Sequence, residues 1–288
     1  MFTAPVLALL IAAQGDAHTL QWKLKEGEVF YNKATVTMDQ KIEVLGQKVE
    51  QKMGIKSVLK FKVKSVKAGE TVVEMTYVEM TVDAPNLPGA NAAGNLKGVT
   101  FTATLNDKME VAKLDGYEKF LDAVVGEGAA ERKMMKAMMP QAAVKQMFSQ
   151  TFLAGPAKPV AVGGTWDRTT AVAMGAMGNV ETKEKFTLDA VKGDLATLTA
   201  KGDLTFKPGD DNGDSGLPFK ITKADLKADK YAATHKFDIK NGRVTESKVD
   251  MDLSGTMSIE AMGQTIDAKL TMKMKTIGVI TDKNPVVD

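Results

Sequence analysis

The chain has 288 residues, 44% hydrophobic and 26% charged, with a formal net charge of +2. That balance is globular, excludes wholesale disorder, and offers neither the basic excess nor the motifs of a nucleic-acid reader. Because the chain has no cysteine, disulfides, thiolate metal sites, cysteine nucleophiles and lipid attachment at cysteine are excluded.

Residues 5–13 are a nine-residue apolar run followed by Gln14-Gly15-Asp16-Ala17. Its length suits a signal-peptide core and falls short of the ~20 apolar residues that span a bilayer. Residues 1–17 therefore read as a signal peptide, placing the mature chain outside the cytoplasm, periplasmic or secreted. The competing reading is an apolar first strand or helix, since Met1 to Ala4 carry no Lys or Arg. No later stretch approaches transmembrane length.

Residues 20–24 read as a short strand, and 28–44 with 47–66 as a long hairpin. Within it Leu59, Phe61 and Val63 alternate with Lys60, Lys62 and Lys64, a period of two that gives one apolar and one charged face. Residues 70–83 continue the pattern. Residues 84–98 hold two prolines, three glycines and three asparagines and read as a loop. Two short strands flank Asn106-Asp107. The period then changes: Tyr117, Phe120, Leu121, Val124 and Val125 fall on one helix face, with Asp115 and Glu118 spaced as a capping box. A second helix runs through Met134, Met135, Met138 and Met139, and Pro140 opens a third, with Ala143, Val144, Met147, Phe148 and Phe152 on its stripe. Strands resume near Thr165 and persist to Ile280, with Asn241-Gly242 as the strongest two-residue hairpin signal.

One turn signature recurs: Leu45-Gly46-Gln47-Lys48-Val49-Glu50, Met177-Gly178-Asn179-Val180-Glu181 and Met262-Gly263-Gln264-Thr265-Ile266-Asp267. Residues 60–67 also match 185–192, and 105–109 match 240–244, in the same order. The organisation expected is one duplicated β-rich domain over 18–282: repeat 1 about 20–115, a helical insert 116–153, and repeat 2 about 160–282. The fold class is α+β, β-dominated, with a large curved antiparallel half-barrel of about 10–12 strands and two or three helices on its apolar face. Such a sheet is roughly 50 Å wide if flat, and helices ~10 Å across cover only about half of it. The rest must be buried by curling, a partner or a ligand.

The chain carries 18 methionines, and the run at 134–139 admits three readings: core packing, a pliable apolar pocket, or Cu(I). The lack of Cys and of nearby His weighs against copper there, and no metal or other cofactor is expected. His235 reads as a surface strand position, and His18 with His235 makes a poor copper set. The acidic loop at 210–216 lacks glycine at the sixth position of a calcium loop counted from Asp210, and Ile221 stands where the bidentate Glu belongs. Ser57-Val58-Leu59-Lys60 lies in a strand, where Ser and Lys point to opposite faces, and no nucleotide-binding or nucleophile-elbow motif is present. No catalytic residue is assigned, and the chain is expected not to be an enzyme. The residues expected to line an apolar site are Phe61, Phe120, Val124, Met134, Met138, Met147, Phe148, Met272 and Met274.

The order of elements, the Met/Thr-rich strands, the Leu45-Gly46-Gln47 turn and the strand start Gly163-Gly164-Thr165-Trp166 resemble a family of uncharacterised exported bacterial proteins over most of residues 20–280. The layout is also similar to bacterial lipoprotein carriers, which implies a half-barrel holding helices and an acyl-binding cavity; no functional residue carries over. The expected function is an extracytoplasmic carrier of a lipid or other apolar small molecule held between sheet and methionine-rich helices. The alternative is a structural or interaction protein of the envelope with a filled core.

Overall fold

The computed structural model describes residues 16–84, 90–126, 128–153, 155–209, 217, 219–261 and 263–286. Most of the expected signal peptide and the acidic loop at 210–216 lie outside the described residues. The strands are β1 (Val29–Val44), β2 (Gln47–Lys67), β3 (Glu70–Asp83), β4 (Thr100–Asn106) and β5 (Val111–Asp115) before the helices. The helices are α1 (Tyr117–Val125), α2 (Ala129–Met138) and α3 (Gln141–Ser149). After them come β6 (Thr165–Ala173), β7 (Gly178–Lys192), β8 (Leu195–Pro208), β9 (Phe219–Asp238), β10 (Arg243–Ala261) and β11 (Gln264–Thr281).

These make one open, curved antiparallel sheet ordered β5-β4-β3-β2-β1-β11-β10-β9-β8-β7-β6. Each half is a meander, and the halves join where β1 pairs with β11. Short turns set the register. Leu45 (φ 50°) and Gly46 (φ 76°) form the two-residue β1–β2 turn, the positive-φ pair of a type I′ hairpin. The third copy of the signature falls at the β10–β11 hairpin, where Ala261 stands opposite Gln264 and Gly263 has φ 74°. The second falls at the β6–β7 connection, which is longer and passes through a 3₁₀ turn at Gly175–Met177. The matched stretches 60–67 and 185–192 are the C-terminal parts of β2 and β7.

Register places Phe30 opposite Phe61, Phe61 opposite Met75, and Met75 opposite Phe101. The alternation that the lysines of β2 advertise thus becomes a continuous inner face. Phe30 stacks on Phe61 with centroids 4.9 Å apart; Phe152 meets Phe61 edge-on at 5.8 Å, and Trp22 meets Phe152 at 5.2 Å. On the other flank Phe148 of α3 sits edge-on to Phe101 at 5.0 Å. This end of the sheet is filled by aromatic rings.

The helices settle at the two sheet edges. α3 packs against both β5 and β6, closing the gap between them. Its Gln141, Lys145 and Ser149, spaced one turn apart, face β5. Gln141 Nε2 donates to the Leu114 carbonyl at 2.6 Å, Lys145 Nζ to the Ala112 carbonyl at 2.6 Å, and the Val111 N–H donates to Ser149 Oγ at 2.9 Å. Side chains thereby satisfy backbone groups that an uncovered edge would present to another chain.

Three expectations need correction. Residues 20–24 form no strand; apart from the bridge of His18 to Val160, they plug the aromatic end, with Trp22 Nε1 donating to the Leu153 carbonyl at 3.0 Å. α1 has no Asp115 cap. Its N-cap is Gly116 at φ 101°, where a Cβ would lie 2.5 Å from the Thr100 carbonyl oxygen, and Glu118 instead pairs with Arg132 and Lys136 of α2. Finally, Asn241-Gly242 belongs to a longer β9–β10 connection, because Asp238 accepts from both the N–H and the side-chain amide of Asn241.

Phe61 is fully buried and touches both halves of the aromatic stack. Phe61→Ala is expected to lower stability by about 3–5 kcal/mol, read as a shift of the urea midpoint. A loss below ~1 kcal/mol would contradict the packing described.

Candidate functional site

Beyond the aromatic end the strands continue outward, and the inner face changes character. Beyond inner rows led by Asn32, Ala34 and Val36, the first row of this outer part runs Met53, Met38, Met274, Met251 and Tyr231 across β2, β1, β11, β10 and β9. The next holds Gln51, Gln40, Met272, Leu253 and Ala228, and the third Val49, Ile42, Leu270, Gly255 and Leu226. Met251, Leu253 and Leu270 are buried at the centre, the methionines beside them are half-buried, and Val49 and Leu45 at the tip are exposed. Gly255 leaves the floor bare between Leu270 and Leu226, and its backbone (φ 154°) approaches β9 so closely that a Cβ would lie 1.9 Å from the Asp225 carbonyl oxygen. The result is an apolar trough with a neutral floor.

The outer face is charged and laddered across strands. Asp252 stands opposite Lys273 and Lys230, Asp250 opposite Lys275, and Asp39 opposite Lys52 and Lys273. These carboxylates belong to a solvated face, as their alternation indicates, and offer no acid–base pair.

At one side of the trough lies a polar cluster. Arg168 donates to Glu184 Oε2 at 2.8 Å from Nε, and the Tyr231 hydroxyl donates to Glu184 Oε1 at 2.6 Å. The Arg168 guanidinium also sits 5.0 Å over the Phe186 ring. Glu184 is buried, and its charge is tolerated because the Arg168 cation and the Tyr231 hydroxyl both donate to it. Gly202 makes room: a Cβ there would be 2.9 Å from the Tyr231 ring. Burial, reinforced by Glu184, pushes the Tyr231 phenol upward, so it remains a donor. His235 lies two residues from Phe237 and shares its inward parity; it is buried, not a surface residue, and its Nδ1 shares a hydrogen bond with Ser247 Oγ at 2.7 Å.

The residues expected to line a ligand site fall into three places. Phe61, Phe120 and Phe148 are buried in the aromatic core, and Val124 packs against it. Met134, Met138 and Met147 are exposed on the helices. Met272 and Met274 lie half-buried in the trough; Met274 stands opposite Met38 and Met251, Met38 in turn stands opposite Met53, and Met272 stands opposite Gln40 and Leu253. These sheet partners escaped sequence reasoning because no strand brings two of them together: Met38, Met53 and Met251 each lie on a different strand. The inward parity of each was legible, but the shared row depends on strand register. Arg168, Glu184 and Tyr231 escaped for the same reason. Two shallow hollows of about 430 and 410 Å³ open at the hairpin tips beside Leu45 and Met257 and along β6–β8 beside Gly202; neither lies between helices and sheet. No group of three or more His, Cys, Asp or Glu among the described residues is arranged to hold a metal.

Residues 50–262 match a family of unknown function, DUF6263, and the chain belongs to that family. No curated protein matches the sequence. Among solved structures, lipovitellin, described there for its lipid–protein interactions, is similar over 92% of this chain with 9% identity and a TM-score of 0.48. The chain spans about a quarter, 26%, of lipovitellin's length. The outer membrane protein OprG from Pseudomonas aeruginosa is similar over 89% of this chain and 97% of its own, with 7% identity and a TM-score of 0.24. A putative outer membrane lipoprotein-sorting protein domain from Vibrio parahaemolyticus is similar over 83% of each chain, with 8% identity and a TM-score of 0.13. No described helix is long and apolar enough to cross a membrane.

Burial, helped by nearby Arg168, lowers the His235 pKa from 6.5 to about 4. The folded chain therefore binds this proton later than the unfolded chain does. Stability is expected to fall as pH drops from 6.5 to about 4, by about 3 kcal/mol for this group. Urea denaturation across that window should show a shallower decline for His235→Gln than for the wild type. Equal slopes would show that His235 does not carry the effect.

Proposed function

We propose that the chain is a non-catalytic, extracytoplasmic binding protein that holds an apolar or acylated small molecule along the outward half of its inner sheet face. One observation carries this reading: three inner-face rows in the outer part of five strands are built mainly of methionine, leucine, isoleucine and valine, with Gln40, Gln51 and Tyr231 as polar members and no charged side chain on their floor. The aromatic end is filled by Phe30, Phe61, Phe101, Phe148 and Phe152. A ligand accordingly takes the trough and not the junction of sheet and helices. The energetics are adequate: burying ten methylenes yields roughly 8 kcal/mol gross, against which lost translational freedom and ordering are set. Methionines beside the floor suit chains of varied shape, since unbranched thioethers adapt.

The second reading is a structural or interaction protein of the envelope. Its supporting observation is the shallowness of the two hollows; on this view the outer rows are covered by a protein partner or by curling.

Native mass spectrometry of the purified chain is expected to show an adduct of lipid mass, and a fluorescent acyl probe should bind with blue-shifted emission. Ile42→Lys and Met272→Lys place ammonium groups on the trough floor and should weaken the probe at least tenfold. Met138→Lys, on the exposed side of α2, should leave it unchanged. Bare protein mass together with no probe binding would favour the interaction-protein reading.

A further inference from the structure

We infer that the trough also contains a soft-metal site, in which the thioethers of Met38, Met53 and Met274 take up Cu(I). Register makes the case. Met38 stands directly opposite Met53 on one side and Met274 on the other, and Met274 stands opposite Met251. Directly opposed side chains on one face start with Cβ atoms ~4.5–5.5 Å apart. The long, freely rotating methionine side chain lets adjacent sulfurs turn toward one point.

The surroundings select the ion. The flanking inner-face rows supply Gln40 and Gln51 on one side and Val36 and Thr276 on the other, with no carboxylate or imidazole among the row's direct neighbours on these four strands. Hard divalent cations, which need anionic oxygen, and Cu(II) or zinc, which need nitrogen or thiolate, gain nothing here. A soft monocation is satisfied by neutral sulfur and carries the smallest charge into an apolar setting. Met38, Met53 and Met274 are half-buried and Met251 is buried, so the ion enters from the open side of the trough. The metal arrives and leaves as Cu(I), exchanging with a soft donor ligand, and no electron is transferred. The helical run at 134–139 offers no equivalent: Met134 and Met138 are exposed whereas Met135 and Met139 turn to the core.

Thioethers bind without losing a proton, unlike thiols or imidazolium. Uptake is therefore expected to be independent of pH between about 5.5 and 7.5. The test is anaerobic titration of the purified full chain with Cu(I) in competition with bicinchoninate, followed by X-ray absorption on the loaded protein. One equivalent retained with only sulfur neighbours is expected, with affinity at least tenfold weaker in Met38→Leu and in Met274→Leu. Leucine keeps the trough apolar and near its volume, so circular dichroism and the urea midpoint should be unchanged in both variants, which separates loss of the sulfur donors from loss of the fold. Met134→Leu/Met138→Leu should retain the metal fully. No retention by the wild type, nitrogen or oxygen neighbours, or unchanged affinity in both sheet variants would overturn the proposal.

Discussion

Everything in this molecule depends on the antiparallel pairing of β1 with β11. It runs without a bulge from Tyr31 opposite Thr281 to Val44 opposite Ala268, and it turns two meanders into one sheet. Because side chains alternate with a period of two, a slip of one residue along this seam would send every inner-face side chain of one half outward. The methionine row and the neutral trough lie across it, and the aromatic stack abuts it at Phe30 of β1. Strands of 16 and 18 residues make the seam long enough that a slip is opposed by many side-chain pairs at once.

An open sheet has two edges, and an exposed edge is an invitation to aggregate. Here the insert that separates the halves in sequence returns to bridge those edges in space. α3 supplies apolar contacts through Val144 and Phe148 and backbone satisfaction through Gln141, Lys145 and Ser149. The segment around Trp22 closes the same end from the other direction. The closure is therefore local, and it leaves the long outward halves of the strands to solve their burial separately.

That division gives the chain two interiors. One is packed by rings of fixed shape; the Arg168–Glu184 ion pair, met by the Tyr231 hydroxyl and the Phe186 ring, lies beside the other. The other is floored by methionine, leucine and glycine, whose side chains deform easily or are absent. Rigid packing serves stability, whereas a compliant, uncharged floor suits exchangeable occupants, whether acyl chains or a soft ion. The charge ladder on the outer face supports both by keeping the reverse side of the same strands in water.

Much of this was determined by sequence. The period-two alternation at 59–64 and the glycine turn signals at Leu45-Gly46 and Gly263 establish long antiparallel hairpins, because strand geometry and positive φ leave few alternatives. The change of period at Tyr117 likewise marks the helices, and their stripe identifies Phe120 and Phe148 as buried. Helical methionines looked like wall residues because their local density is high, yet density along a helix does not say which neighbour it will meet. His235 could have been read correctly from the parity of Phe237. What only the tertiary structure decided is which residues share a row: Met38, Met53, Met251 and Met274, or Arg168, Glu184 and Tyr231. Hairpin turns fix register only between consecutive strands, while the β1–β11 seam joins residues some 240 positions apart, and no local pattern along the chain encodes that alignment.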